Sequence, residues 1–282
     1  MKPIHLGAPT FTKWGSAEEW ATAIHAKGYS AAYCPLQNDA SDAVVSEFAA
    51  VAAKYNIVIA EVGAWNSNPI SVDESERKRG IAFNQKQLDL ADRIGARCCV
   101  NIAGSRSPTW HGPHPENLND DTFALIVESV REIIDGVQPT HTFYALECMQ
   151  WVFPDSIESY ERLIAAIDRK AFAAHLDPVN LVNCPSRFFD TTTLIRESFR
   201  RLGRHLRCCH AKDVTMSTNA IVHIDEVRPG LGVLDYATYL TELARVAPDV
   251  PLMLEHLPNE AEYDLAAAHI RAVAAQAGVS IR

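Results

Sequence analysis

Thr142-Phe-Tyr-Ala-Leu-Glu147, a helical stretch at 156–167, and Ala171-Phe-Ala-Ala-His-Leu-Asp177 follow one another in the middle of the chain. Each flanking run is short and apolar and ends on a carboxylate, and the segment between them carries the 3.6-residue period of an amphipathic helix. Strand, helix, strand in that order implies two parallel strands joined by a crossover helix.

The same alternation extends in both directions. Apolar or β-branched runs stand at 3–8, 29–34, 57–62, 97–103, 142–147, 171–177, 206–210 and 251–255. Helical segments lie between or after them, near 16–27, 40–54, 73–94, 119–136, 156–167, 191–202, 235–246 and 260–276. Eight repeats favour closure into a (β/α)8 TIM barrel over an open doubly wound sheet. The first strand is not followed by a Gly-x-Gly-x-x-Gly turn, which speaks against dinucleotide binding. Ser16-Ala-Glu-Glu19, Ser71-Val-Asp-Glu74 and Asn119-Asp-Asp-Thr122 place caps and acids where free helix amides want them. At 282 residues and 48% hydrophobic, the chain is expected to form one barrel domain over 1–282.

Composition narrows the function classes. A formal charge of -9 opposes nucleic-acid phosphates. No apolar run approaches the roughly 20 residues of a membrane span, and the N-terminus lacks a basic stretch followed by an apolar core, so a cytoplasmic protein is expected. Seven cysteines, with Cys98-Cys99 and Cys208-Cys209 adjacent inside strands, do not form a disulfide framework and read as small apolar residues.

Parallel strands bring their C-terminal tips to one rim, where barrels of this kind keep their chemistry. Leu206-Arg-Cys-Cys-His210 and Pro251-Leu-Met-Leu-Glu255 add two more polar tips, so Glu147, Asp177, His210 and Glu255 are expected to converge as a divalent metal site. Three carboxylates suit a hard cation, and one imidazole shifts the preference toward Mn²⁺, with Mg²⁺, Co²⁺ or Zn²⁺ as alternatives. Such an ion polarises a carbonyl and favours enolisation at the neighbouring carbon. Taken singly, each residue is better explained by a local hydrogen bond; four unpaired polar groups converging by chance would be costly to desolvate.

The segments Leu146-Glu-Cys, His175-Leu-Asp-Pro-Val-Asn180, Cys209-His-Ala-Lys-Asp213, Arg228-Pro-Gly-Leu-Gly-Val-Leu-Asp-Tyr236 and Leu252-Met-Leu-Glu255 resemble the sugar phosphate isomerase/epimerase family, the xylose isomerase-like barrels. The resemblance spans nearly the whole chain. It implies the same four metal ligands and an acid/base pair made by Glu147 and Glu255. Ketose epimerases often carry a histidine three residues after the metal-binding aspartate; Asn180 stands there, which implies different substrate contacts. Val100-Asn-Ile-Ala-Gly104 and Ala166-Ile-Asp-Arg-Lys-Ala171 are similar to the barrel subunits of C-glycoside deglycosidases, which cleave 3-keto-glycosides after the same enolisation.

Secondary candidates surround this set. Trp14, Trp65, Trp110 and Trp151 fall just beyond strands, where they could stack on sugar carbons or an aromatic aglycone, or form a lid or subunit contact; Trp14 and Trp110 are taken as substrate-binding. His111 and His114 occupy the long loop 104–118; His111 is taken as a catalytic acid/base and His114 as a substrate contact, against the reading of both as incidental loop residues. Asn180 and Arg228 are expected to touch substrate, with a loop-fixing ion pair as the alternative for Arg228. His175 should point into the barrel as a hydrogen-bonded core residue, Lys212 and Asp213 should orient the rim, and Glu61 is left outside the catalytic set.

The leading expectation is a metal-dependent sugar isomerase or epimerase, its rival a lyase of keto-glycosides, and a silent sugar-binding barrel comes third. Apurinic endonucleases of the same family use a multinuclear zinc site rich in histidine, which this four-ligand set does not match. The expected partner is a small sugar or keto-glycoside, neither nucleic acid nor membrane, with association into a homo-oligomer or with a partner subunit left open.

Overall fold

The computed structural model describes residues 2–282 and closes eight parallel strands into a barrel. Strands β1 (Leu6–Gly7), β2 (Ala31–Tyr33), β3 (Val58–Gly63), β4 (Cys98–Asn101), β5 (Tyr144–Glu147), β6 (Phe172–Leu176) and β7 (Leu206–Ala211) pair in chain order. A hairpin of β8 (Asp213–Met216) and β9 (Ile224–Val227) precedes β10 (Leu252–Leu254), which closes the barrel between β7 and β1. The outer layer comprises α1 (Ala17–Ala26), α2 (Asp42–Lys54), α3 (Glu74–Ile94), α4 (Asp120–Val137) and α5 (Ile157–Ile167). Two short helices, α6 (Pro178–Leu181) and α7 (Pro185–Phe189), lead into α8 (Thr191–Leu202), α9 (Tyr236–Val246) and α10 (Glu260–Gln276). All eight strands and eight helical segments expected from periodicity are therefore present.

Local chemistry explains the helix starts. Ser16 and Asn119 accept from the amides of Glu19 and Thr122. At α3 the cap is Asp73, accepting from the amide of Glu76, while Ser71 instead accepts from the amide of Asp73. Three residues of spacing from cap to amide donor recur in each case, the geometry that satisfies free first-turn amides.

Two apolar layers hold the barrel. Its interior is filled by small residues, including Ala31, Ala60, Ala145 and Ala173, together with Cys98, Cys208 and Met253. Cys99 and Cys209 face the opposite way, into the layer between strands and helices, as strand alternation requires, and all seven cysteines are unbridged. At Gly7 a Cβ would lie 2.5 Å from both Ala31 O and Met253 Sδ, so only glycine lets β1 approach its neighbour there.

The β8–β9 hairpin lies within 211–234, the connection between the expected seventh strand and the helix at 235–246. Val214 and Thr215 pair antiparallel with Glu226 and Asp225, and those two acids break the apolar run that would have signalled a strand. Asp213 organises the remainder: its carboxylate accepts from the amides of Val214, Gly230, Gly232 and Leu234 at 2.9–3.1 Å. A Cβ on Gly232 would meet Asp213 Oδ1 at 2.3 Å, so the tight return needs glycine.

Candidate metal centre

Four strand ends deliver the cluster. Glu147 closes β5, Asp177 follows β6 directly, His210 lies near the end of β7, and Glu255 follows β10. The backbone under them is pinned by tyrosines from the helix layer. Tyr160 on α5 donates to the carbonyls of Leu146 and His175 at 2.7 and 2.6 Å; as one hydroxyl carries one hydrogen, the two acceptors share it. From α9, Tyr239 donates to His210 O at 2.8 Å and Tyr236 to Lys212 O at 2.7 Å. These phenols are fully buried, and burial raises their ionisation well above the ordinary tyrosine range, so they remain donors.

One potential ligand atom from each of Glu147, Asp177, His210 and Glu255 falls within 4.8 Å of the others. His210 Nδ1 lies 2.9 Å from Glu255 Oε2, 3.3 Å from Glu147 Oε1 and 3.9 Å from Asp177 Oδ2. Asp177 spends Oδ1 on capping α6 through the amide of Val179 at 2.9 Å, leaving Oδ2 for the cluster. Asp177 Oδ2 and Glu255 Oε2 are buried without a well-aligned hydrogen bond despite nearby cations. Buried acceptors left in that state are destabilising, so their convergence with an imidazole fits a divalent cation.

Charge at the site is shared among several groups. Lys212 Nζ lies 2.7 Å from Glu255 Oε2 and 3.0 Å from Asp177 Oδ2. Burial pushes the Lys212 ammonium toward neutrality, but Asp177, Glu147 and Glu255 outweigh it and raise its pKa well above the usual value. For His210, burial likewise favours the neutral ring, while Glu255, Glu147 and Glu61 hold the proton on well above the ordinary range. Burial pushes Glu255 up, yet His210 and Lys212 drive it well below the usual carboxylate range.

Above the cluster opens a cavity of about 630 Å³. Trp65, Trp110, Trp151, Ile102 and Met149 form apolar wall, and Glu147, Asn180, Lys212, Glu226, Glu255 and His256 supply polar groups. Of the four cluster residues, Glu147 and Glu255 line this space, while Asp177 and His210 are sealed beneath it at 0% exposure.

The expected periphery divides. Trp110 and His111 line the cavity. Asn180 lines it too and donates to Glu147 Oε1 at 2.9 Å, so its amide also holds a cluster carboxylate. Three expected contacts lie away from the cavity wall. Trp14 packs edge-on against Phe48 at 5.6 Å between centroids. His114 caps a short 3-10 turn by accepting from the amide of Glu116, and Arg228 is drawn to Glu262 Oε2 at 2.8 Å.

Sequence reading missed Glu226 and His256. His256 adopts a left-handed φ of 58° directly after Glu255, and its Nδ1 lies 3.1 Å from Glu226 Oε2. That hydrogen bond holds the His256 proton on above the ordinary range despite burial. Adjacency to Glu255 was the available signal for His256; Glu226 had none, since it rides on the unforeseen hairpin.

A family model described as a xylose isomerase-like TIM barrel matches residues 21–273. No curated protein matches the sequence. Three solved structures share the fold along nearly the whole chain. A xylose isomerase-like TIM barrel protein from Mycobacterium smegmatis, in complex with magnesium, is 18% identical at a TM-score of 0.67, covering 98% of this chain and 97% of the other. D-psicose 3-epimerase from Clostridium cellulolyticum H10, with D-tagatose, is 15% identical at 0.68, covering 98% and 100%. The 3-keto-D-glucoside 4-epimerase from E. coli is 14% identical at 0.66, covering 95% and 99%.

Proposed function

The chain belongs to the xylose isomerase-like TIM barrel family, and on that footing we propose that it is a metal-dependent enzyme that enolises a keto-sugar, as an isomerase or epimerase. The observation that carries this reading is the division of the cluster: Glu147 and Glu255 reach the cavity, whereas Asp177 and His210 do not. Two carboxylates bordering one substrate space can take a proton from a carbon next to a carbonyl and return one elsewhere.

Glu147, Asp177, His210 and Glu255 would hold the cation, with Mn²⁺ the first choice for this donor set. When bound, a divalent cation supplies Lewis-acid polarisation of a carbonyl. The chain's own groups do the remainder. Asn180 fixes one Glu147 oxygen, Lys212 fixes one Glu255 oxygen, and the tryptophan walls exclude water while offering flat faces to sugar carbons. His111 also lines the wall, and in this reading it would exchange protons with substrate hydroxyls.

The cavity favours a neutral substrate. Among the described residues no arginine lines it, its lysine is held by Glu255 and Asp177, and its wall carries Glu147, Glu226 and Glu255. A phosphorylated sugar would meet carboxylates without a free guanidinium fork.

A second reading draws on the cavity's size. A hexose fills only part of about 630 Å³, and the remaining wall is tryptophan, isoleucine and methionine. That space suits a sugar bearing an apolar or aromatic group, as in a 3-keto-glycoside. Proton removal beside the keto group would then break the bond to the aglycone at the β-position, with the electron pair leaving on the aglycone and a proton returned to it.

The test is Mn²⁺-loaded protein in D₂O with a panel of free ketoses and 3-keto-glycosides, followed by proton NMR. Deuterium incorporated into an epimer or isomer supports the first reading, and free aglycone supports the second. Binding of these sugars with no exchange and no release in any of them would overturn both, leaving a binding role.

A further inference from the structure

Beneath the four-residue cluster lie two buried polar groups that the proposed reaction does not use, Glu61 and His175, both set against the cluster's own His210. Glu61 reaches inward from β3, His175 from β6 and His210 from β7. The Glu61 side chain is 1% exposed and both imidazoles 0%. Strand β3 neighbours neither β6 nor β7, so these contacts cross the barrel interior. Glu61 lies outside the cavity wall and cannot touch substrate there.

His175 Nε2 lies 2.7 Å from Glu61 Oε2, and His210 Nε2 lies 3.3 Å from the same oxygen. The two rings stand 4.1 Å apart at 70°. An imidazole has two nitrogens on different edges, and in His210 Nδ1 faces Glu255 and Glu147 while Nε2 faces Glu61. Nε2 is buried with no aligned hydrogen-bond partner, and Glu61 Oε2 at 3.3 Å is a carboxylate oxygen within its reach. A metal-binding histidine is kept in one tautomer and one orientation by the acceptor of its other ring hydrogen.

We propose that Glu61 is the positioning residue of the metal centre: its Oε2 accepts the Nε2 hydrogen of His210, so that Nδ1 is the bare nitrogen offered to the ion. His175 donates to the same oxygen and keeps the carboxylate from turning away. The inference rests on the metal-centre reading above. It competes with a reading in which Glu61, His175 and His210 bind a second ion, since their ligand atoms also fall within 4.8 Å of one another. The separation of 2.7 Å between Glu61 and His175 is that of a charge-assisted hydrogen bond, whereas two ligands on one tetrahedral ion about 2 Å from each stand roughly 3.3 Å apart.

The experiment is Co²⁺ titration of the full-length protein, wild type against Glu61→Met and Glu61→Gln, with ion stoichiometry, affinity and paramagnetic proton NMR as readouts. Wild type should bind one ion per chain and show one strongly shifted, exchangeable imidazole N–H. Glu61→Met should lose that resonance and bind the ion about 10- to 100-fold more weakly, still one per chain. Glu61→Gln, which retains an acceptor oxygen, should lose less affinity. Wild-type affinity in Glu61→Met, or a wild-type spectrum without the shifted N–H, would overturn the inference. Two ions in wild type and one in Glu61→Met would make Glu61 a ligand instead. Should Glu61→Met fail to fold, Glu61→Gln and the wild-type resonance still decide the matter. A wild type that binds no ion at all would sink the metal-centre reading itself.

Discussion

Lys212 Nζ stands 2.7 Å from Glu255 Oε2, with 2% of the lysine side chain exposed. Three cluster carboxylates thus share two buried cations, Lys212 and protonated His210. Replacement of the His210 proton by a divalent ion would leave three negative charges facing an ion of charge two and one ammonium, a balanced inner set, with the Glu61 carboxylate on the other edge of the His210 ring paired to His175.

Lys212→Met should therefore harm the metal-free protein far more than the loaded one. Removing one partner of a buried ion pair costs about 3–5 kcal/mol, because the other charge is left without compensation. Differential scanning calorimetry without metal should show a large fall in Tm, and saturating Mn²⁺ should recover most of it. An equal fall with and without Mn²⁺ would show that the lysine acts through packing alone.

Metal loading should release a proton and strengthen with pH. Glu255, Glu147 and Glu61 overcome burial and raise His210 well above its ordinary value of 6.5. A raised histidine stabilises the metal-free fold fully below 6.5, and that contribution is lost as pH climbs through the raised value. The ion needs the neutral ring, so near neutrality it must displace the proton. Calorimetric titrations of Mn²⁺ in buffers of differing ionisation enthalpy should give about one proton released per ion at pH 7. Affinity should rise between pH 6 and pH 8; a flat profile with no release would place His210 outside the coordination set.

If Glu147 and Glu255 act as proposed, Glu147→Gln and Glu255→Gln should each abolish deuterium exchange into a bound ketose, because each would remove both a charged ligand and a proton carrier. Asp177→Asn should weaken metal binding, yet exchange should return at high Mn²⁺, since Asp177 is sealed from the cavity. Wild-type exchange in either glutamine variant would remove that glutamate from the acid/base role.

Much of this arrangement was legible because the signals were local. Each strand tip carries its polar residue at the end of an apolar run, and the alternation of Cys98 with Cys99 and of Cys208 with Cys209 reports the inward and outward faces of their strands. The inward reach of His175 was legible because it stands two residues before Asp177, on the same face of its strand. What stayed hidden depends on distant partners. The ion pair held open for Arg228 finds a partner the sequence did not name, Glu262 on α10, and Trp14 settles against Phe48 on α2. Glu61 meets His175 and His210 across the barrel, a contact 114 residues apart in sequence for the first pair. The hairpin was masked because Asp225 and Glu226 interrupt its apolar pattern, and with it went the placement of Glu226 beside His256.

The tryptophan wall should govern which substrate is used, separately from the chemistry. Trp65, Trp110 and Trp151 line the cavity with Ile102 and Met149, and none of the five carries a carboxylate or imidazole to hold the ion. An aromatic contact is worth about 0.5–1.5 kcal/mol beyond the area it buries, which corresponds to roughly a twofold to tenfold change in KM per ring. Trp65→Ala and Trp151→Ala should raise KM for an aryl 3-keto-glycoside by that factor or more and leave metal affinity unchanged, with kcat little altered. For a free ketose, which cannot reach the whole wall, the same variants should change KM less. Steady-state kinetics on matched aryl and free substrates checks this: equal losses on both would mean that the rings hold the sugar itself, and no loss on either would make the wall a lid or subunit contact.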